Sequence, residues 1–306
     1  MADGVRKRKV SLAREVGFCF GVKRAINLTR QALEERGDAF IVGDLVHNRR
    51  VTDELEAKGL RKVDDLTSQS GGAMVVRAHG IPLAQMQAAQ ERGIDIVDAT
   101  CPIVHRARDA ARSLEERGCQ VVIIGDRHHA EIIGILGSLS GPALVVETVE
   151  EVRQARAEHR LLRKVGVIFQ TTRALEMCFG ILHELLALCR EVQVINTICR
   201  PVQARQEDAL ELARTVDLML VVGSATSANT VELATLCRHY NPHTLRIQSA
   251  DELRDEQFAW AEHIGIASGL STPDELVDAV RERVATFAGP VVPEHRPEAP
   301  GDVAPA

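Results

Sequence analysis

Three of the seven cysteines sit in segments that share one layout: Gly17-Phe18-Cys19-Phe20-Gly21-Val22, Ala99-Thr100-Cys101-Pro102-Ile103-Val104 and Thr197-Ile198-Cys199-Arg200-Pro201-Val202. Thiolates are soft ligands for zinc and for iron–sulfur clusters, and a helix N-terminus favours the thiolate form. No two of the seven cysteines form the Cys-x-x-Cys pair of a zinc knuckle. The spacing by itself leaves three readings open: an iron–sulfur cluster with one iron unligated by protein, a zinc site with a fourth ligand, or no metal. Cys119, Cys178, Cys189 and Cys237 lie in apolar patterns and read as small buried hydrophobes.

The elements around the three cysteines repeat as well. Each follows a candidate strand, at Ser11–Val16, Ile94–Val97 and Val192–Ile195, and each precedes an amphipathic helix. Val22, Ala25, Ile26, Thr29 and Leu33 keep helical spacing, as do Ile103, Ala107, Ala110, Ala111 and Leu114. Gly37 and Gly118 are the expected stops of those two helices. Twenty-four residues after each cysteine comes a glycine that ends an apolar stretch, at Gly43, Gly125 and Gly223. Four residues further lie His47, His129 and Ser227. A third strand and polar loop follow, at Met74–Gly80, Val165–Thr172 and Ile264–Ser271. Alternating strands and helices predict α/β units with parallel sheets, whose ligands bind at the carboxyl ends of the strands. The leading strand of the first repeat is expected in the last domain's sheet. If the repeats share an axis, three thiolates meet on it.

Those strand ends carry His47, His79, His129, Ser227, Asn229 and Ser271. Singly, each has an ordinary use, as a helix cap or a satisfied histidine. Together, and beside helix N-termini, they supply hydrogen-bond donors suited to a phosphate or diphosphate. Glu131, two residues after His129, reads either as a first-turn helix glutamate or as a proton donor. Gln170-Thr171-Thr172 reads either as capping or, through Thr171, as a group that orients a substrate hydroxyl. Asp126 and His128 flank this region without an assigned role.

Composition narrows the class. The formal charge is −6 and only nine of 306 residues are aromatic, which argues against a nucleic-acid binder. With 45% hydrophobic and 26% charged residues, the chain has the balance of a soluble protein, with no apolar run of membrane-spanning length. Its N-terminus lacks a secretory apolar core, so a cytoplasmic location is expected, with reduced thiols.

In order, the segments Gly17–Val22, Val46-His47-Asn48-Arg49, Ala78-His79-Gly80, Asp98–Pro102, His129-Ala130-Glu131, Gln170-Thr171-Thr172, Asn196–Cys199, Gln203–Glu207, Ser227-Ala228-Asn229 and Ser271–Asp274 resemble the LytB family of hydroxymethylbutenyl diphosphate reductases. The resemblance runs from about residue 11 to 285. It implies a trefoil of three pseudo-threefold related α/β domains around a central iron–sulfur site. The domain bounds would be 20–100, 101–198, and 1–19 with 199–288, followed by a disordered tail at 289–306. By the same resemblance Cys19, Cys101 and Cys199 hold one 4Fe-4S cluster, and the segment Ser227-Ala228-Asn229 with His47, His79 and Ser271 binds the substrate's diphosphate. His129 supports it, and Glu131 delivers protons with help from Thr171. The implied reaction removes the substrate hydroxyl as water and yields isopentenyl and dimethylallyl diphosphate. Ferredoxin or flavodoxin-type donors supply the electrons, and no nucleic acid or membrane is involved. The chain departs from the family pattern at three positions. Ala228 stands where a second serine is common, Ala130 where proline is usual, and Asp126 where some members carry histidine. Ala228 and Ala130 are the support for a second reading, a non-catalytic metal- or cluster-binding regulator of the same fold.

Overall fold

The computed structural model describes residues 8–287, so the tail expected at 289–306 lies outside the described residues. In chain order the strands are β1 (Lys9–Leu12), β2 (Ala39–Val42), β3 (Leu60–Val63), β4 (Ala73–Val76), β5 (Asp95–Asp98) and β6 (Gln120–Ile124). There follow β7 (Leu144–Val146), β8 (Lys164–Phe169), β9 (Glu191–Val194), β10 (Leu218–Val222), β11 (Thr244–Ile247) and β12 (His263–Ser268). The helices are α1 (Phe20–Arg36), α2 (Arg49–Ala57), α3 (Leu83–Glu91), α4 (Pro102–Glu116), α5 (Ala130–Leu136) and α6 (Val149–Ala157). The remainder are α7 (Phe179–Leu188), α8 (Arg200–Ala213), α9 (Ala228–Tyr240), the single-turn α10 (Asp255–Phe258) and α11 (Asp274–Ala285). The chain divides into two bodies, Phe20–Cys199 and the residues up to Cys19 together with those from Arg200. Among the described residues no helix is long and apolar enough to cross a membrane.

The body Phe20–Cys199 holds two sheets, ordered β3-β2-β4-β5 and β7-β6-β8-β9, with every pairing parallel. All five residues of β6 are buried, four of them the apolar run Val121–Ile124 expected of a strand covered on both faces. Helix α4 shows why the repeat folds this way. Pro102 opens it, where a missing N–H costs nothing, and Val104, Ala107, Ala111 and Leu114 form its buried stripe. Burying Leu114 alone contributes roughly 1.5–3 kcal/mol. Gly118 ends the helix at φ +73°, with its N–H donating to the Glu115 carbonyl at 2.8 Å. Gly37 stops α1 at φ +81°, with its N–H donating to the Leu33 carbonyl at 2.8 Å. Both expected stops are present.

Helix α4 lies so close to β8 that a Cβ on Gly166 would sit 2.7 Å from Leu114 Cβ. Leu114 is fully buried and has nowhere to retreat. Gly166→Ala is therefore expected to destabilise the fold by about 1–3 kcal/mol, read as a lower urea midpoint. An unchanged midpoint would contradict this packing.

The other body holds one parallel sheet, ordered β1-β12-β10-β11. β1 pairs with β12, Lys9 opposite His263, so the leading strand of the first repeat does belong to the last sheet. Its bounds differ from the expected Ser11–Val16. The strand ends at Leu12 because Arg14 Nε donates to Asp208 Oδ1 at 2.7 Å and the Glu15 N–H to Asp208 Oδ2 at 3.1 Å. Those bonds draw the chain off the sheet and onto α8. The core of this body gathers Leu218, Leu220 and Val222 of β10, Ile264 and Ile266 of β12, Phe258 at the end of α10 and Trp260 just beyond it. In all three sheets the strand before a cysteine is an edge strand: β5 before Cys101, β9 before Cys199, β1 before Cys19.

Candidate active site

Each of the three cysteines is held by the same backbone hydrogen bond. The N–H of Cys101 donates to the Ala78 carbonyl at 2.9 Å, that of Cys199 to Thr171 at 2.9 Å, and that of Cys19 to Leu270 at 3.1 Å. Each acceptor lies two residues past the end of its strand, β4, β8 and β12 respectively. Each cysteine also sits directly before a helix, α4, α8 and α1. The three are half-buried and none forms a disulfide. Half-buried thiols with fixed backbones at helix starts suit a metal group and lack the hairpin knuckles of structural zinc. Cys119, Cys178 and Cys237 are buried as expected, and burial pushes the Cys237 thiol up to about 12. Cys189 departs from that expectation. It ends α7 at the surface side and is only half-buried, with Sγ 3.5 Å from the Leu162 carbonyl.

In the body Phe20–Cys199 the structure brings His47, His79 and His129 together. Their ring centroids lie 4.9 Å apart for His47–His79, 5.2 Å for His79–His129 and 6.3 Å for His47–His129. His47 and His129 both lie five residues past the end of an inner strand of their sheet, β2 and β6, and both lead into helices. Asn48, next to His47, caps α2 by accepting the Val51 N–H at 3.1 Å, and His129 is itself the N-cap of α5. Burial is the first cause that lowers all three imidazole pKa values, His129 to about 4, with Arg77 adding repulsion at each. Three neutral rings and the neighbouring Arg77 guanidinium form a donor-bearing pocket, with Asp44 acting on His47 and Asp126 on His129 as the opposing acids. The ligating nitrogens spread up to 4.8 Å from one another, wider than the roughly 3.4 Å edge set by 2.0–2.1 Å zinc–nitrogen bonds. That spread suits hydrogen bonds to an oxyanion better than bonds to a metal. His79 Nδ1 is buried without a hydrogen-bond partner, which marks capacity for a ligand.

Glu131 and Thr171 meet in the same body. Glu131 is 1% exposed, and its Oε1 accepts the Thr171 N–H at 2.8 Å while Oε2 lies 2.6 Å from Thr171 Oγ1. The Thr171 carbonyl in turn holds Cys199. One threonine thus joins the acid to a cysteine segment. Burial raises the Glu131 pKa to about 7, against the opposing pull of both bonds from Thr171. At neutral pH the acid is poised between its two forms, as a proton donor needs to be. Glu131 and His79 also share with Thr100, His105 and Arg108 a small pocket that holds about one water.

These shifts set opposite slopes of stability with pH. The raised Glu131 pKa favours the fold fully below 4.5 and costs it about 3 kcal/mol once pH passes 7. The depressed His129 pKa acts the other way: its contribution is present above 6.5 and is lost, by about 3 kcal/mol, as pH falls to 4. Glu131→Gln removes only the first. Its unfolding free energy relative to the unsubstituted chain should therefore rise by about 3 kcal/mol between pH 4.5 and 7, measured by urea unfolding. A pH-independent difference would mean that Glu131 is ordinarily solvated.

Ser227, Ala228, Asn229 and Ser271 lie in the other body with Cys19. Ser227 follows β10 at the same five-residue offset and caps α9, accepting the Thr230 N–H at 3.4 Å. The helix starts at Ala228, because this cap places Ala228 and Asn229 in its first turn. Ser271 Oγ donates to Ser227 Oγ at 3.4 Å, and Asn229 Nδ2 is buried without a hydrogen-bond partner. Ala228 brings no polar atom. Residues without an assigned role in the sequence also matter. Asp98 and Asn196, each three residues before a cysteine, accept the N–H of Thr100 at 2.9 Å and of Ile198 at 3.0 Å. Their common offset was the available signal. Gln170 ties its loop to the preceding strand ends, accepting the Asp126 N–H through Oε1 at 2.9 Å.

Residues 10–285 match the family model described as LytB protein. A 4-hydroxy-3-methylbut-2-enyl diphosphate reductase from Geobacter sulfurreducens is 39% identical over 279 residues, 91% of this chain and 98% of that protein. The enzyme of the same name from Aquifex aeolicus is 36% identical over 90% of this chain and 95% of its own. A solved structure of (E)-4-hydroxy-3-methyl-but-2-enyl diphosphate reductase, the terminal enzyme of the non-mevalonate pathway, covers 92% of this chain and 100% of its own at 34% identity and a TM-score of 0.65. A structure of the E-1-hydroxy-2-methyl-but-2-enyl-4-diphosphate reductase from Plasmodium falciparum covers 89% of this chain and 86% of its own at 25% identity, with a TM-score of 0.83. Spanned almost end to end by that family's model and by relatives above 30% identity, the chain belongs to the LytB protein family.

Proposed function

We propose that this chain reductively dehydroxylates 4-hydroxy-3-methylbut-2-enyl diphosphate to isopentenyl and dimethylallyl diphosphate, with one 4Fe-4S cluster held by Cys19, Cys101 and Cys199. The observation that carries this reading is the single backbone bond used three times, which fixes three distant cysteines at equivalent strand ends. When bound, the cluster supplies electrons and a Lewis-acidic iron beside the leaving oxygen.

The chain's own residues do the rest. His47, His79 and His129 donate to the diphosphate, and Ser227, Asn229 and Ser271 supply further donors; Ala228 contributes only backbone there. Two electrons and two protons are consumed. One proton converts the departing hydroxyl to water and the other reaches the allylic carbon as the C–O bond breaks. Glu131 holds the first proton and passes it through the Thr171 hydroxyl, across the 2.6 Å contact between them. The depressed imidazole pKa values keep the histidines as neutral hydrogen-bond donors, so the acid of the site is Glu131. Ferredoxin or flavodoxin-type proteins deliver the electrons, and the chain works in the cytoplasm.

The test is turnover of the diphosphate substrate by anaerobically purified chain with a low-potential chemical reductant, with both products quantified. Conversion that needs both iron and reductant is expected. Stoichiometric binding of substrate without any conversion by the iron-loaded chain would instead indicate the non-catalytic relative.

A further inference from the structure

The three cysteine segments are not fixed by identical means. Before Cys101 and Cys199, Asp98 and Asn196 fold the chain into a turn by accepting the N–H two residues on. The corresponding residue before Cys19 is Val16, which has no such acceptor. Gly17 there adopts φ +78°, and a Cβ would collide with Asp274 Oδ1 at 1.6 Å. Something else must hold this segment.

That role falls to Arg205 on α8, which is 4% exposed. Its Nη1 lies 2.8 Å from the Gly17 carbonyl, 2.9 Å from that of Gly269 and 3.1 Å from that of Ser268. The Gly17 N–H donates to Ser268 Oγ at 3.1 Å, closing the same junction. One guanidinium therefore ties the segment leading to Cys19 to the end of β12, one residue before the Leu270 carbonyl that takes the Cys19 N–H. Arginine stays charged when buried, and burial lowers the Arg205 pKa while Cys19 is the largest of the charges that oppose the fall. Asp208, Glu15 and Asp274 are the other acids facing it, and Asp208 is already engaged by Arg14.

We propose that Arg205 is a positioning residue for Cys19: its guanidinium replaces the turn-forming Asp or Asn of the other two segments and sets a permanent positive charge beside this corner of the metal site. The charge favours the more negative, reduced state of whatever iron–sulfur group the cysteines hold, and so raises its reduction potential. The inference rests on the reading of the cysteines as cluster ligands only for its second half. The clamp is a property of the protein alone.

Two variants of the full chain separate the halves. Arg205→Met removes clamp and charge, whereas Arg205→Lys keeps the charge and loses the three-carbonyl geometry. Amide hydrogen exchange on the iron-free chain should accelerate at Gly17 and Cys19 by about tenfold or more in Arg205→Met and by less in Arg205→Lys, while Thr100 and Cys101 exchange as before. After anaerobic reconstitution, an EPR-monitored redox titration should give a more negative midpoint for Arg205→Met and a midpoint near the unsubstituted value for Arg205→Lys. Unchanged exchange at Gly17 and Cys19 overturns the clamp. Equal midpoints in all three proteins, or equal shifts in both variants, overturn the charge effect. If Arg205→Met does not fold, the lysine variant's exchange still decides the clamp, and a lowered midpoint in it still overturns the charge effect. An unsubstituted chain that binds no iron removes the cluster reading while leaving the exchange result intact.

Discussion

Glu131→Gln is expected to lower kcat by about 10²–10⁴-fold while substrate still binds, the loss typical of a removed general acid. Glutamine fits the same space and keeps the acceptor for the Thr171 N–H, which Glu131 Oε1 now accepts at 2.8 Å. It cannot carry the proton. The second bond identifies the route: at 2.6 Å the Thr171 hydroxyl donates to the carboxylate or accepts from the acid, so proton and hydroxyl exchange roles across it. Thr171→Val, which retains the N–H and loses the hydroxyl, should lower kcat by about 10²-fold. The double variant should be little worse than Glu131→Gln alone, because residues that act as one unit are not additive. In the unsubstituted enzyme, kcat should fall as pH rises through about 7, where Glu131 gives up its proton. A Glu131→Gln enzyme with kcat within threefold of the original would remove Glu131 from the chemistry.

Cys19→Ser, Cys101→Ser and Cys199→Ser should each abolish turnover and strip most of the iron from anaerobically prepared protein. Serine preserves the small polar side chain and leaves each backbone bond in place, to Leu270, Ala78 and Thr171 respectively. What it removes is the soft ligand. Cys119→Ala and Cys237→Ala are the matched controls, since both thiols are buried in apolar clusters. They should keep full iron and lose only about 1 kcal/mol of stability, the cost of one buried sulfur-sized group. Iron retained at wild-type level in any one of the three serine variants would show that this cysteine is not a ligand.

The repeat was legible because it is set by local rules. A parallel strand buried on both faces reads as a near-continuous apolar run, and the glycine and polar residue that follow occupy its carboxyl end. Equal spacing from Cys19, Cys101 and Cys199 therefore marked equivalent places in three sheets. Glu131 and Thr171 were named, yet their contact was not, because the two residues come from different strand ends of one sheet. Arg205 was hidden for a related reason: the carbonyl it holds at Gly17 lies 188 residues away in sequence. The short β1 follows from a single ion pair at Asp208, which outweighs the apolar periodicity at the element's end. Cys189 was misread because the apolar stretch around α7 is exposed on one side, with Phe179 and Leu186 facing solvent.

Iron and acid-labile sulfide, counted per chain on protein purified and kept without oxygen, bear most directly on whether three far-separated thiols form one redox centre. About four of each is the expected result, falling together when Cys19, Cys101 or Cys199 is replaced. Stoichiometric zinc with neither iron nor sulfide would contradict it.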